Sequence, residues 1–200
     1  MARKTTKLTA VNRILSNIGQ SPTTTLVGGN PIVEMAELVL DEINTAVQSE
    51  GWVYNTEYAY PFKPNTDNEI LVPDNVLALD SKQLYNGFLV IRGGKLYDKA
   101  SHSFEFTETI DLDVVWLFDF EDQPEAFREY VTIRAANVFA GRSVGSAEAV
   151  QFGNREEIIA RATALEYDTQ QGDYNMFQNG DGYTTIPTYN AFKTLNRRSF

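Results

Sequence analysis

The chain has 200 residues, of which 42% are apolar and 22% charged, and its formal net charge is −10. This length and composition are typical of a globular protein with one shared core rather than of a disordered chain, and no apolar run approaches the roughly 20 residues that cross a bilayer. Because there is no cysteine and only one histidine, His102, the sequence excludes disulfides, thiolate catalysis, cysteine-based metal sites and multi-histidine centres.

Two helices are predicted in the first quarter of the chain. Apolar side chains recur at helical spacing over residues 8–18, and Gly19 is the predicted turn that ends this helix. In the second helix, Asn30 is the predicted N-cap and Pro31 the first helical residue. Gly51 is the predicted turn at its end. The second helix is marked by Ile32, Met35, Val39, Ile43, Ala46 and Glu50.

After the second helix, the period of the apolar residues changes from 3.6 to 2, which predicts a half-buried strand. Its even-numbered side chains are Trp52, Tyr54, Tyr58, Tyr60 and Phe62. Short apolar runs separated by turn residues follow at 70–72, 76–79, 88–91, 104–106 and 114–118. Gly93 and Gly94 predict a two-residue hairpin turn, because glycine tolerates the positive φ that such a turn requires. The pattern indicates an antiparallel β-domain.

Helical spacing returns at Pro124, a good first-turn residue, and this third helix ends near Gly141. Its predicted face consists of Phe127, Tyr130, Val131, Ala135, Val138 and Phe139. A fourth helix is predicted over residues 146–170, with Gly153 as its weak point. Its core candidates are Ile158, Ile159, Ala162 and Leu165.

We therefore predict an α+β fold. The helical parts, residues 1–51 and 122–171, pack on each other as a helical bundle. The antiparallel β-domain, residues 52–121, is inserted between them. Residues 172–200 carry little secondary-structure signal and are expected to form an extended C-terminal tail.

Charge is distributed unevenly. Residues 1–33 contain four basic residues and no acid, residues 182–200 contain three and no acid, and residues 34–181 hold all 27 acidic residues. An acidic body repels phosphate, which argues against ordinary nucleic-acid binding over its surface. One interpretation is a solvated acidic surface with loose basic ends. Another is an acidic wall that nucleic acid passes without binding, with basic arms that reach a neighbour. A third is a nucleic-acid-binding module that uses the basic ends.

A cluster of carboxylates is the strongest candidate for catalysis. It consists of Glu105, Glu108, Asp111, Asp113, Asp119, Glu121 and Asp122. Paired carboxylates would serve a polysaccharide or cell-wall hydrolase, which is the alternative function. Strand alternation, however, sends Asp111 and Asp113 outward while Leu112 and Val114 face inward, as in a solvated strand edge.

A second motif, Gly141-Arg142-Ser143-Val144-Gly145, matches the Gly-x-Ser-x-Gly pattern of a nucleophile elbow. The segment before Ser143 is predicted to be helical rather than extended, and His102 precedes the serine, whereas that fold places its histidine last. The segment is therefore interpreted as a turn between helices, and His102 as an exposed turn residue. No catalytic residue and no cofactor or metal site is predicted.

Five segments resemble, in order, the tail tubular protein A family of short-tailed, T7-like bacteriophages. The resemblance includes an Ile-Gly pair at the end of the first helix, a Gly-Trp step after the second, Arg-Gly-Gly before Tyr-Asp in the hairpin, and Pro-Glu-x-Phe-Arg at the third helix. The segments are LTAVNRILSNIGQSP, EINTAVQSEGWVYNTE, RGGKLYDKASHSF, FDFEDQPEAFREYVTIRAANVF and DYNMF.

The resemblance implies a structural virion protein, located in the phage tail and assembled in the cytoplasm of the bacterial host. The implied role is an adaptor or gatekeeper for DNA ejection, in a twelve-membered ring around the DNA channel. Its implied partners are copies of itself, the portal protein, a nozzle protein of the tail tubular protein B type, and tail fibres. The basic N-terminus, which no apolar segment follows, agrees with the absence of a secretory signal, and no membrane partner is expected.

The C-terminal tail is a candidate docking arm. Apolar groups recur every third residue and basic residues follow, a pattern that suits a segment that orders on a partner. These residues are Tyr183, Ile186, Tyr189, Phe192, Leu195, Arg197 and Arg198. The alternative is a loose, disordered end.

Overall fold

Four helices and five strands form the part of the chain that this computed structural model describes, namely residues 4–81, 88–143 and 147–172. For residues 147–152 the description covers the backbone alone. The helices are α1 (Lys7–Asn17), α2 (Pro31–Gln48), α3 (Glu125–Ser143) and α4 (Ala147–Gln171), and the strands are β1 (Thr56–Phe62), β2 (Val76–Asp80), β3 (Leu89–Arg92), β4 (Lys95–Asp98) and β5 (Ile110–Trp116). The predicted α+β class is confirmed.

The ends of the first two helices follow directly from local chemistry. The side chain of Thr6 accepts a hydrogen bond from the amide of Thr9 at the start of α1, and Asn30 accepts from Ile32 at the start of α2, where Pro31 is the first helical residue. Gly19 has a φ of +73° and Gly51 a φ of +74°, a left-handed conformation that glycine adopts without strain.

The helical core is built around α3. Helices α1, α2 and α4 all pack on α3, and α1 also contacts α2. Phe127 lies at the centre of this core. The centroid of its ring is 4.9 Å from the ring centroid of Trp52 and 4.5 Å from that of Tyr54. Phe127 is completely buried, so it joins the helices to the segment that leads into the first strand.

A second apolar cluster lies beneath the strands. The three-stranded antiparallel sheet has the order β1-β5-β2, and β3 and β4 form a separate hairpin. Gly93 and Gly94, which connect the hairpin, both have positive φ, at +58° and +73°. The second core consists of Phe62, Ile70, Val72, Leu96, Phe106, Ile110, Leu112, Val114 and Trp116.

The prediction of a strand from Trp52 onward is wrong for its first residues. Val53–Asn55 forms a 3-10 turn, and the strand begins at Thr56. The indole nitrogen of Trp52 donates a hydrogen bond to the carbonyl of Val47, at 2.7 Å, because this side chain belongs to the helical core rather than to the sheet.

The alternation within β1 is also interrupted. The pairing with β5 changes register between Glu57 and Tyr60, and Ala59 has a φ of +53°. The amide of Ala59 donates to the carboxylate of Asp113, at 3.1 Å. As a result Tyr58 and Tyr60 are both exposed although Phe62 is buried, which a simple period of two does not describe.

Two of the predicted apolar runs, 70–72 and 104–106, are not strands. They form only single bridges, in which Leu71 pairs with Lys95 and Glu69 with Glu105. Their side chains Ile70, Val72 and Phe106 nevertheless enter the second core. The run predicted at 114–118 overlaps β5, which begins and ends earlier.

The predicted apolar faces of the second and fourth helices need correction. Ile32, Met35 and Ala46 are exposed on α2, and Glu50 is exposed two residues beyond its end. The buried apolar side chains of α2 are Val33, Ala36, Val39, Leu40, Ile43 and Val47. On α4 all four core candidates, Ile158, Ile159, Ala162 and Leu165, are exposed, and Ala160 and Ala164 are buried instead.

Small residues explain which side of α4 faces α3. A Cβ atom added at Gly153 would lie 2.1 Å from Oδ1 of Asn137 on α3, so the two helices approach closely here. Ala160 and Ala164 continue this side of α4 toward its C-terminal end. Gly153, predicted to be a weak point, is therefore a point of close helix packing.

No helix in the described ranges is both long and apolar enough to cross a lipid bilayer.

We expect Phe127→Ala to lower the free energy of unfolding by about 3–5 kcal/mol, because it removes a buried ring at the centre of the helical core. Chemical denaturation followed by circular dichroism measures the change. Phe104→Ala is the matched control, since Phe104 is 37% exposed and contacts Tyr97 at the surface of the β region. A loss below about 1 kcal/mol for Phe127→Ala would contradict the central position of this ring.

Candidate functional site

The carboxylates proposed for catalysis lie along several elements. Asp111 is exposed on β5, Asp113 accepts from the amide of Ala59, and Glu121 accepts from the amide of Lys7. Within the described residues, no group of three or more histidine, aspartate or glutamate side chains is placed to hold a metal ion. No observation in that part of the chain favours the hydrolase alternative.

The residues of the other catalytic motif lie on separate elements. His102 is exposed in a turn, where its φ is +56°. Ser143 is the last residue of α3 and is exposed, and residues 144–146 lie outside the described ranges. The predicted docking arm also lies outside them: Tyr183, Ile186, Tyr189, Phe192, Leu195, Arg197 and Arg198.

The most distinctive surface of the described chain is the outer face of α4. Ile158 is 68% exposed, Ile159 67% and Leu165 45%, and the exposed Ala162 lies between them. Their spacing places all four on one side of the helix, opposite Ala160 and Ala164. An exposed apolar surface of this kind is a candidate site of protein–protein contact. We call these four residues the α4 face.

A second exposed apolar surface lies near the start of α2. Leu38 is 68% exposed and Met35 54%, and both project from the side of the helix opposite its buried residues. Ile32, one turn earlier, is 38% exposed. We call Ile32, Met35 and Leu38 the α2 face.

Polar contacts fix the rotation of α4 about its own axis. The guanidinium of Arg161 donates to both carboxylate oxygens of Glu50, at 3.1 and 2.8 Å, and to the hydroxyl of Tyr130, at 2.8 Å. These hydrogen bonds raise the pKa of Arg161, and the bond with Glu50 contributes more than the bond with Tyr130. Arg161 lies at the half-exposed edge between the two sides of α4, so these contacts favour the rotation in which Ile158 and Ile159 face outward.

A partly buried contact holds α4 closer to its C-terminal end. The carboxylate of Asp168 accepts a hydrogen bond from the amide of Val53, at 2.7 Å. Burial raises the pKa of Asp168, and burial together with the nearby Asp168 charge raises that of Tyr54. The end of α4 is thus joined to the segment that leads into β1.

Ion pairs hold α2 against its neighbours. The ammonium group of Lys7 lies 2.8 Å from Glu37 and 3.0 Å from Asp41. The guanidinium of Arg142 makes a bidentate contact with Glu42, at 2.8 and 2.9 Å, and these hydrogen bonds lower the pKa of Glu42. These charged groups border the α2 face without covering it.

A buried polar network joins the helices to the sheet. The amide side chain of Gln48, fully buried at the end of α2, exchanges two hydrogen bonds of 2.8 Å with the backbone of Phe118. Asn55 donates to the carbonyls of Gln48 and Trp116, at 2.9 and 2.8 Å. Because the backbone after β5 has fixed partners on α2, the β region has one orientation on the helices.

An acidic cleft of about 590 Å³ lies beside this junction, between α1, α2 and residues 117–122. Four of its lining residues are acidic, namely Asp41, Asp119, Glu121 and Asp122, and Lys7 is its only basic lining residue in the described chain. Part of the negative charge predicted for the body of the protein therefore lines this cleft.

Sequence reasoning missed several residues that define these surfaces. Gln48 and Arg161 were not identified, although polar residues at core-facing positions of a helix are a recognisable signal of buried hydrogen bonding. The α4 face was assigned to the core. The residues of the α4 face have the spacing of a buried helical stripe. Ala160 and Ala164, on the opposite side of α4, have this spacing too.

Comparison with known proteins gives two matches. A family model described as tail tubular protein matches residues 8–174. Tail tubular protein A of Klebsiella phage KP34 is 32% identical over 124 residues, a match that covers 60% of this chain. The chain spans 63% of the length of that relative.

We expect Gln48→Met to lower the free energy of unfolding by about 2–4 kcal/mol, because it leaves the amide and carbonyl of Phe118 buried without partners while keeping the side-chain volume. Urea denaturation measures the change. Gln170→Met is the matched control: Gln170 is exposed on α4, and its side chain donates a hydrogen bond to Glu166 on the same helix. Its effect is expected to stay within about 0.5 kcal/mol, and equal losses for the two variants would argue against the network.

Proposed function

Because this chain belongs to the tail tubular protein family, we propose that its copies form an adaptor ring that joins the portal to the tail nozzle of a short-tailed phage. As a tail tubular protein it is a structural component of the virion tail. The adaptor role, the ring and the DNA channel are the proposal.

The α4 face is the observation that carries this proposal. Three large apolar side chains, each at least 45% exposed, lie on the side of the helix opposite the buried Ala160 and Ala164. Exposing them to water is unfavourable by about 25 cal/mol per Å² of apolar area, so a partner that covers them stabilises the assembly. A subunit that works as a building block needs such surfaces.

The acidic body supports a path for DNA beside this protein. A cleft with four carboxylates and one lysine offers phosphate groups repulsion rather than binding. DNA therefore passes through the channel of the proposed ring without binding specifically to the protein, as a gatekeeper for DNA ejection requires. Tight, salt-sensitive binding of DNA by the purified protein would contradict this part of the proposal.

The membership in this family supports the other partners that we propose. Twelve copies form the ring, in which the helical parts (residues 1–51 and 122–171) carry the contacts between subunits. A nozzle protein of the tail tubular protein B type and the tail fibres attach to the assembly. Residues 172–200 form an arm whose apolar residues, from Tyr183 to Leu195, dock on a neighbouring copy or on the portal, where Arg197 and Arg198 meet acidic groups.

We expect the double substitution of Ile158→Ser and Ile159→Ser to leave the fold intact and to weaken assembly by about 2–4 kcal/mol, because both side chains lose the burial they gain in the ring. The number of copies per virion, measured by quantitative gel analysis of purified particles, reports the effect. Thr163→Ser, another exposed position on α4, is the control. Wild-type copy number in the double variant would contradict the role of the α4 face.

We expect deletion of residues 172–200 to leave a folded chain that no longer joins portals, because the docking arm is missing. Thermal unfolding checks the fold, and negative-stain microscopy of the protein mixed with its portal checks the joining. Full incorporation of the shortened chain would refute the arm while leaving the ring proposal in place.

A further inference from the structure

The two exposed apolar faces belong to helices that pack separately on α3. Helix α2 contacts α1 as well as α3, whereas α4 packs chiefly on α3. A closed ring uses heterologous contacts, in which each subunit offers one patch to the copy on its left and a different patch to the copy on its right. A contact between two α4 faces would close a dimer and leave the α2 face uncovered.

Within one copy, α2 and α4 run in the same direction. Arg142, near the end of α3, contacts Glu42 of α2, and Arg134, in its middle, contacts Glu50 just past the end of α2. This reverse order means that α2 is antiparallel to α3. Helix α4 is antiparallel to α3 as well, since Gly153 lies against Asn137 and Arg161 against Tyr130. In a ring of many subunits the rotation between neighbours is small, so α4 of one copy and α2 of the next remain close to parallel.

Charges beside the two faces are complementary. Glu34 is exposed four residues before Leu38, and Arg155 is exposed four residues before Ile159. No ion pair of Glu34 or Arg155 occurs within the described residues. Four residues correspond to about 6 Å along a helix, so the two charges lie level when Leu38 contacts Ile159 in parallel helices. Antiparallel packing would instead bring Arg155 to Glu42, which already binds Arg142.

We propose that neighbouring subunits meet by packing the α4 face of one copy on the α2 face of the next, in parallel, with Arg155 paired to Glu34. This inference rests on the proposed ring and specifies its contact. Leu38 fills the space between Ile158 and Ile159, and the charge pair at the edge sets the register.

The contact also specifies how the helices lie in the ring. Within one copy Glu50 is beside Arg161, so Leu38 and Ile159 are about ten helical residues, or about 15 Å, apart along the bundle. The contact therefore shifts one copy along its helices relative to the next. Because a closed ring has no rise along its axis, this shift requires the helices to be inclined to the axis rather than parallel to it.

Engineered cysteines test the contact, and the absence of native cysteine removes any background. Virions that carry Leu38→Cys and Ile159→Cys in the same chain are treated with an oxidant or a short bismaleimide. A ladder of cross-linked multimers is expected, because each copy links to two neighbours. Each single variant is expected to give monomer only. A control pair of Thr107→Cys with Ile159→Cys is expected to give monomer too, since Thr107 is exposed in the β region.

The outcomes separate this contact from the proposed function. Dimers formed by either single variant would show a symmetric contact and overturn the inference. Monomer from the double variant, in virions whose microscopy shows a ring of this protein, would overturn the inference alone, as would helices parallel to the ring axis. Virions that contain no such ring would overturn the proposed function.

Charge reversal provides a second test that does not depend on cysteine geometry. Glu34→Arg and Arg155→Glu are each expected to lower the copy number per virion about tenfold, because like charges then meet at the edge of the contact. The two together are expected to restore it. Glu108→Arg, an exposed charge in the β region, is the control and is expected to have no effect. Failure of the double variant to recover would contradict the pairing.

Discussion

The close approach of α3 and α4 determines the surface that this protein presents. Asn137 occupies the space that a side chain at Gly153 would need, and Ala160 and Ala164 keep the next two turns of α4 close to the core. A larger residue on that side would separate the helices, because protein interiors have no spare volume. Ile158 and Ile159 are therefore left on the outer side, although they are the more apolar residues.

Polar contacts then make this arrangement rigid. Arg161 pairs with Glu50 and Tyr130 at the edge of α4, and these contacts favour the rotation that leaves its isoleucines outside. Gln48 holds the backbone of Phe118, so the sheet keeps one orientation relative to the helices. A subunit whose surfaces are fixed in this way loses little conformational freedom when it joins a neighbour, which favours association.

The family relationship and these surfaces lead to the same picture. A tail tubular protein is a structural part of the virion, and a structural part acts through the surfaces it offers to other subunits. In the proposed ring the acidic cleft adds a second property, since its carboxylates repel phosphate and leave DNA free to move past. In the proposed ring, apolar faces hold the subunits together and negative charge keeps the channel from binding its contents.

The sequence by itself determined the α+β class, the four helices, the cap at Asn30 and the glycine turn at Gly93, because caps and turns depend on residues that are neighbours in the chain. Only the tertiary structure decided which side of α4 is buried. Helical spacing shows that apolar residues share a face, but α4 carries apolar residues on two faces, and the choice between them depends on the shape of α3. Trp52 is similar: its period of two predicts a strand, but the space beside Phe127 draws it into the helical core. Residue patterns report local geometry, whereas burial depends on what other parts of the chain bring into contact.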